Sequence, residues 1–79
     1  MNKVTMYTTP YCVYCKMAKV FFEQNKVDYE EKDVALDIKA RENMIQRSGQ
    51  MGVPVFEVGG KIVIGFDRPR LAELIGIKK

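Results

Sequence analysis

Histidine is absent from all 79 positions. Any mechanism must therefore do without an imidazole base, and any metal site without an imidazole ligand. Cysteine is nearly as scarce. Cys12 and Cys15 are the only two, too few for a framework of several disulfides. Proline (3) and glycine (6) are few and no tract is of low complexity, so nothing reads as a linker or repeat. No apolar run approaches the ~20 residues that cross a bilayer. Met1-Asn2-Lys3 passes straight into a strand-like run, with no apolar stretch of the kind a secretion signal needs. Charge is nearly balanced, with 13 basic against 10 acidic residues leaving +3 and no basic block. That argues weakly for small anionic partners and against nucleic acid or a membrane.

What is present suits one small folded unit. Hydrophobic residues make up 47% and charged residues 29%, so residues 1–79 are expected to form a single domain with a compact core and short loops. A reducing, cytoplasmic setting and a monomeric state are the matching expectations. In that setting a C-x-x-C is more often catalytic or metal-binding than a static staple.

Hydrophobic periodicity divides the chain into seven elements. Lys3 to Thr8 alternates as a strand, with Val4 and Met6 on one face and Thr5 and Tyr7 on the other. Thr8-Thr9-Pro10-Tyr11 is a loop, and a helix is predicted from Val13 to Asn25, with Met17, Ala18, Val20, Phe21 and Phe22 on a wide apolar face. Val27 to Val34 follows as a polar strand suited to a sheet edge. Asp37 caps a second helix to Ser48, on which Ile38, Arg41, Met44, Ile45 and Ser48 share a stripe, and Gly49 stops it. Val55–Val58 and Lys61–Ile64 form a hairpin about Gly59-Gly60. Asp67 and Pro69 open a last helix, Arg68 to Ile75, which Gly76 ends. The order β-α-β-α-β-β-α joins a parallel crossover to a hairpin. It describes an α/β protein of thioredoxin-like fold, with a four-stranded mixed sheet flanked by helices.

The chemistry concentrates in Cys12-Val13-Tyr14-Cys15, at the junction of first strand and first helix. A thiol acts as nucleophile or leaving group only as thiolate. At a helix start the unpaired backbone N–H groups and the positive end of the dipole favour negative charge, and Lys16 and Lys19 add positive charge nearby. Cys15, at i+3 on the same face, is within disulfide reach. The asymmetry makes Cys12 the exposed attacking sulfur and Cys15 the buried resolving one. Two other readings stay open. The pair could be reduced structural cysteines. It could also be half of a metal or iron–sulfur site assembled by a dimer, since four ligands are needed. Elsewhere, Val53-Pro54 precedes a strand. A cis bond there would turn the N–H and C=O of Val53 outward to pair with an extended peptide, and a trans bond would only mark the strand start. Gly65-Phe66-Asp67 offers helix-start amides for a carboxylate and Asp67 for an ammonium group, or is simply a capped turn.

Taken together these segments resemble the glutaredoxins over essentially the whole chain. Cys12-Val13-Tyr14-Cys15 is similar to the family's Cys-Pro-Tyr-Cys, with valine for proline. Arg41 to Gly49 followed by Gly52-Val53-Pro54 is similar to the helix and Thr-Val-Pro turn, and Gly65-Phe66-Asp67 falls at the Gly-Gly-x-Asp/Ser-Asp segment. The resemblance implies reduction of protein disulfides and glutathione mixed disulfides, with glutathione as co-substrate and no tightly bound cofactor. Its partners would be glutathione and disulfide-containing or glutathionylated proteins. It makes Cys12 the nucleophile and Cys15 the resolving thiol, and no residue a metal ligand. It places Tyr14 beside bound glutathione, Val53 before a cis Pro54 on its cysteinyl backbone, Phe66 and Asp67 at its γ-glutamyl end, and Arg41 at its glycine carboxylate. Three positions depart from the pattern. Thr9 stands where many relatives have a lysine that meets a glutathione carboxylate, Ile64 replaces the first glycine, and Arg68 replaces a second acid. Gly65-Phe66 also resembles redoxins that serve ribonucleotide reductase and draw electrons from thioredoxin reductase, which is the alternative reading.

Overall fold

The sheet is built outward from β1, Val4–Thr8. On one side β2 (Tyr29–Asp33) runs parallel to it, from Val4 opposite Tyr29 to Thr8 opposite Asp33. On the other side β3 (Val55–Val58) runs antiparallel, with Val4 opposite Val58 and Tyr7 opposite Val55. β4 (Lys61–Ile64) pairs antiparallel with β3 and completes the order β2-β1-β3-β4. Three helices connect or follow these strands: α1 (Val13–Gln24), α2 (Ile38–Ser48) and α3 (Arg68–Ile75). The computed structural model describes residues 3–77; the reading of Met1-Asn2 lies outside them, as do the last two lysines.

Alternation along β1 fills two cores. Val4 and Met6 join Phe56, Val58 and Val63 beneath α1 and α3, with Ala18, Phe21, Phe22, Leu71, Ala72 and Ile75 above them. Tyr7 and Val55 face the other way, against Val34 and against Ala40 and Met44 of α2. Phe22 anchors the larger core, edge-on to Phe56 at 5.8 Å and tilted against Tyr29 at 5.0 Å. Such pairs add about 0.5–1.5 kcal/mol beyond the burial itself. The Tyr7 hydroxyl, buried under α2, accepts from Asn43 Nδ2 at 3.4 Å.

Local chemistry sets the helix ends. The Asp37 carboxylate accepts from the Ala40 N–H at 3.0 Å and that of Asp67 from the Arg70 N–H at 3.2 Å, each serving one of the donors a helix start leaves unpaired. At the hairpin both Gly59 (φ 55°) and Gly60 (φ 85°) are left-handed, the backbone that a two-residue turn needs to match strand twist.

Three details differ from the sequence reading. The second strand begins at Tyr29 rather than Val27, because α1 ends in a Schellman motif. Lys26 turns left-handed (φ 53°), its N–H reaches Glu23 O, and the Val27 N–H reaches Phe22 O at 2.9 Å. Val27 thus belongs to the helix end and packs into the core. On α1 the wide apolar face is only partly covered. Ala18, Phe21 and Phe22 are buried, but Met17 and Val20 are 48% and 51% exposed. On α2 the stripe is Ala40–Met44 with Ile45 half-buried, whereas Arg41 is exposed and Ile38 is 70% exposed. Ile38 stands about 200° around the helix from Ala40.

This contrast is measurable. Phe22→Ala should lower unfolding free energy by about 3–5 kcal/mol, the usual range for emptying an aromatic site in a core. Val20→Ala should change it by less than about 0.5 kcal/mol, as for an exposed residue. Urea denaturation followed by circular dichroism compares the two, and equal losses would contradict the assignment of faces.

Candidate active site

Strand direction gathers the loops that matter at one end of the sheet. β1 and β2 run parallel, so their ends Thr8 and Asp33 are neighbours, and α1 and α2 start just beyond them. β3 runs against β1, so Val53-Pro54 at its start lies beside the end of β1. β4 runs against β3, so Gly65-Phe66-Asp67 after its end joins the same cluster. A hydrogen bond from the Gly65 N–H to Pro54 O, 2.9 Å, ties the last two together. Cys12, Tyr14, Cys15, Arg41, Val53, Pro54, Phe66 and Asp67 therefore all lie at or within about a turn of this end.

Cys12 is the N-cap of α1. Its backbone is extended (φ −91°, ψ 111°), and its Sγ accepts a hydrogen bond from the Cys15 N–H at 3.1 Å. A sulfur in that position receives a helix-start amide that strengthens as negative charge grows on it. Both thiols are unpaired with each other: Cys12 is half-buried and Cys15 is 1% exposed. Burial, foremost, and then the hydrogen bond with Cys12 push the Cys15 thiol up to about 11, while contacts with the Thr8 side chain and the Thr9 backbone pull the other way. Cys15 is thus a neutral thiol near pH 7. The sulfur that solvent reaches and the sulfur that stays protonated are different ones, as the sequence suggested.

The inner side of the pair opens on a cavity of about 320 Å³, lined by Thr8, Thr9, Cys15, Lys16, Lys19 and Glu31 among others. Within it Lys19 forms an ion pair with Glu31, which raises the pKa of the ammonium group. Of the two lysines that the sequence reading set beside the sulfurs, Lys19 is therefore already matched by a carboxylate. Sequence reasoning passed over Glu31, although its alternation with Val27 and Tyr29 placed it on the face toward α1.

The remaining candidates fall as follows. Tyr14 is 61% exposed beside the pair. The Val53–Pro54 peptide is cis, Pro54 is buried, and Val53 is half-buried. None of the turn, loop and cap hydrogen bonds among the described residues involves Val53. Phe66 is half-buried, edge-on to Phe21 at 5.9 Å. One carboxylate oxygen of Asp67 is engaged in capping α3. Arg41 is exposed in the first turn of α2. Arg68, noticed in the sequence only as a departure, has its guanidinium 5.5 Å from the Phe21 ring centre. Among the described residues no three of His, Cys, Asp and Glu converge as a metal site.

A reduced C-x-x-C pair capping the first helix of this α/β sheet, at the same sheet end as a cis-proline turn, defines a thioredoxin-fold protein with a dithiol site. Comparison with known proteins narrows the class. The glutaredoxin family model matches residues 4–63, and the chain belongs to the glutaredoxin family. A glutaredoxin-like 8.6 kDa protein of a rubredoxin operon in Clostridium pasteurianum is 38% identical, over 91% of this chain and 96% of its own length. Glutaredoxin 3 of Escherichia coli K12 is 33% identical over 85% of this chain and 81% of its own. Among solved structures, a mutant of the thioredoxin-like protein BC3987 matches with a TM-score of 0.91 at 33% identity, covering 99% of this chain and 100% of its own. A glutaredoxin from Archaeoglobus fulgidus matches with a TM-score of 0.84 at 34% identity, covering 95% and 87%.

The asymmetry of the pair predicts a labelling order. Iodoacetamide at pH 8 should modify Cys12 in the reduced protein and leave Cys15 intact. Cys15 should stay unlabelled over the time that labels Cys12, because burial shields its sulfur from the reagent and pushes its pKa up. Peptide mapping by mass spectrometry reads this directly, and equal labelling at pH 8 would contradict it.

Proposed function

We propose that the protein is a thiol–disulfide oxidoreductase that reduces protein disulfides and glutathione mixed disulfides in the cytoplasm, as a monomer, with glutathione as electron donor. The observation that carries this is the Cys12–Cys15 pair itself: one sulfur half-exposed at a helix start under a backbone amide, the other buried and protonated.

The reaction follows from that difference. The Cys12 thiolate attacks one sulfur of the substrate disulfide, a new Cys12–substrate disulfide forms, and the other substrate sulfur leaves as thiolate and takes up a proton. Two of the influences that hold up the Cys15 pKa, the hydrogen bond and the charge interaction with Cys12, act only while Cys12 is free. Once the Cys12 sulfur carries substrate, both are lost and Cys15 ionises more readily. Its thiolate then attacks Cys12 Sγ, closes the Cys12–Cys15 disulfide and releases the reduced substrate. A glutathione thiolate can instead resolve a mixed disulfide without Cys15. For glutathione itself, Val53 would pair with the cysteinyl backbone, Tyr14 would flank it, Phe66 and Asp67 would meet the γ-glutamyl end and Arg41 the glycine carboxylate. The absence of Val53 from the turn, loop and cap hydrogen bonds among the described residues supports the first of these contacts.

A second reading keeps the chemistry and changes the donor. Thr9 and Arg68 provide neither the lysine nor the second acid of the family pattern, which favours a redoxin fed by thioredoxin reductase.

Cys12→Ser should abolish turnover of every disulfide substrate. Cys15→Ser should retain most deglutathionylation of a small mixed disulfide yet lose protein-disulfide reduction by more than about tenfold, since resolution then depends on an external thiol. Coupled assays with glutathione plus glutathione reductase, and separately with thioredoxin reductase, identify the donor. Activity with the second and none with the first would overturn glutathione dependence.

A further inference from the structure

Beside the cysteine pair the molecule leaves apolar surface uncovered in a pattern that the dithiol chemistry does not require. Val13, Met17 and Val20 follow one another at i, i+4 and i+7 along α1 and are 67%, 48% and 51% exposed. The stripe starts next to Cys12. It runs into a groove of about 250 Å³ between α1 and the start of α3, lined by Met17, Val20, Phe21, Gln24, Phe66 and Arg68. The groove walls are apolar, and its one cation, Arg68, is held over the Phe21 ring. The neighbouring charges are otherwise engaged: Arg70 pairs with Glu73 at 3.2 Å, and Asp67 caps Arg70. Among the described residues no carboxylate forms an ion pair with Arg68.

We infer that this groove is a docking site for the polypeptide flanking the substrate disulfide, and that it selects an apolar side chain followed by an acidic one. The apolar walls would take the first, and the Arg68 guanidinium, which holds no ion pair among the described residues, the second. Spacing supports the match. Met17 and Val20 lie about 7.5 and 12 Å along the helix axis from Cys12. An extended chain advances about 3.3 Å per residue, so the apolar residue stands two to four positions from the attacked cysteine and the acid just beyond it. A guanidinium already stacked on an aromatic ring gives up less freedom on binding a carboxylate than a mobile one. The groove would thus add selectivity for protein substrates that a small disulfide cannot experience.

This inference rests on the proposed thiol–disulfide activity, so the test separates the two. Reduced protein is mixed with an excess of a symmetric peptide disulfide, quenched in acid and weighed by mass spectrometry. Each turnover converts protein dithiol and one peptide disulfide to protein disulfide and two peptide thiols. Three peptides are compared, each prepared with the extension on either side of its cysteine: Leu then Glu, Leu then Lys, and Ala then Glu. Rates are divided by that for the disulfide of 2-mercaptoethanol, which has no extension. In the preferred orientation, the Leu–Glu peptide should exceed the Leu–Lys peptide about fivefold, a difference that shrinks with added salt. It should exceed the Ala–Glu peptide about tenfold. Arg68→Gln should remove the acid preference and Arg68→Glu should reverse it. Equal normalised rates for the three peptides, or an acid preference untouched in both variants, would overturn the groove. Failure with the disulfide of 2-mercaptoethanol would instead overturn the activity beneath it.

Discussion

The pairing of β1 on both edges and its burial on both faces is the constraint from which the rest follows. Val4, Met6, Tyr7 and Thr8 are each at most 2% exposed, so the strand tolerates neither a slip nor a missing neighbour. A shift of one residue would exchange Val4 and Met6 with Thr5 and Tyr7 and break both cores at once. With β1 held, a parallel neighbour and an antiparallel one fix which loops meet at its C-terminal end. The cysteine loop, the start of α2, the proline turn and the start of α3 converge there because strand direction leaves them no other place. The candidate site sits at this end for the same reason.

Within that end, two ordinary forces divide the labour between chemically identical thiols. Cys12 stands where the helix has backbone donors to offer, and Cys15 stands three residues later where α1 already faces the core. Hydration is kept by one and lost by the other. The cost of charging a buried sulfur holds Cys15 neutral while Cys12 is free. Because part of that cost comes from Cys12, occupation of the first sulfur prepares the second. In the proposed reaction the order of steps is thereby built into the spacing, with no need for the histidine that the chain lacks.

The same helix shows why apolar residues are not all core. α1 shares its face of the sheet with α3, and between them Phe21 and Phe22 reach the strands while Met17 and Val20 do not. A helix in a chain this small has one covered side. Apolar residues on the other side mark surface, and here they lead away from Cys12 toward Phe66 and Arg68.

Much was legible in the residues alone, because local chemistry states it locally. The cap at Asp37, the Gly59-Gly60 turn, the alternation of Val4, Met6 and Tyr7, and the C-x-x-C at a helix start are each short-range signals, and all seven elements appeared in order. The glutaredoxin resemblance extended that reading to Val53, Pro54, Phe66 and Asp67 across gaps of dozens of residues. Tertiary structure decided what depends on rotation and neighbours. It turned Ile38 and Arg41 outward and Ala40 inward, bound Lys19 to Glu31, took Val27 into a helix end, and set Arg68 over Phe21. Periodicity records which residues share a face; it does not record how much of that face a partner covers, since coverage belongs to the packed elements jointly and to no single stretch.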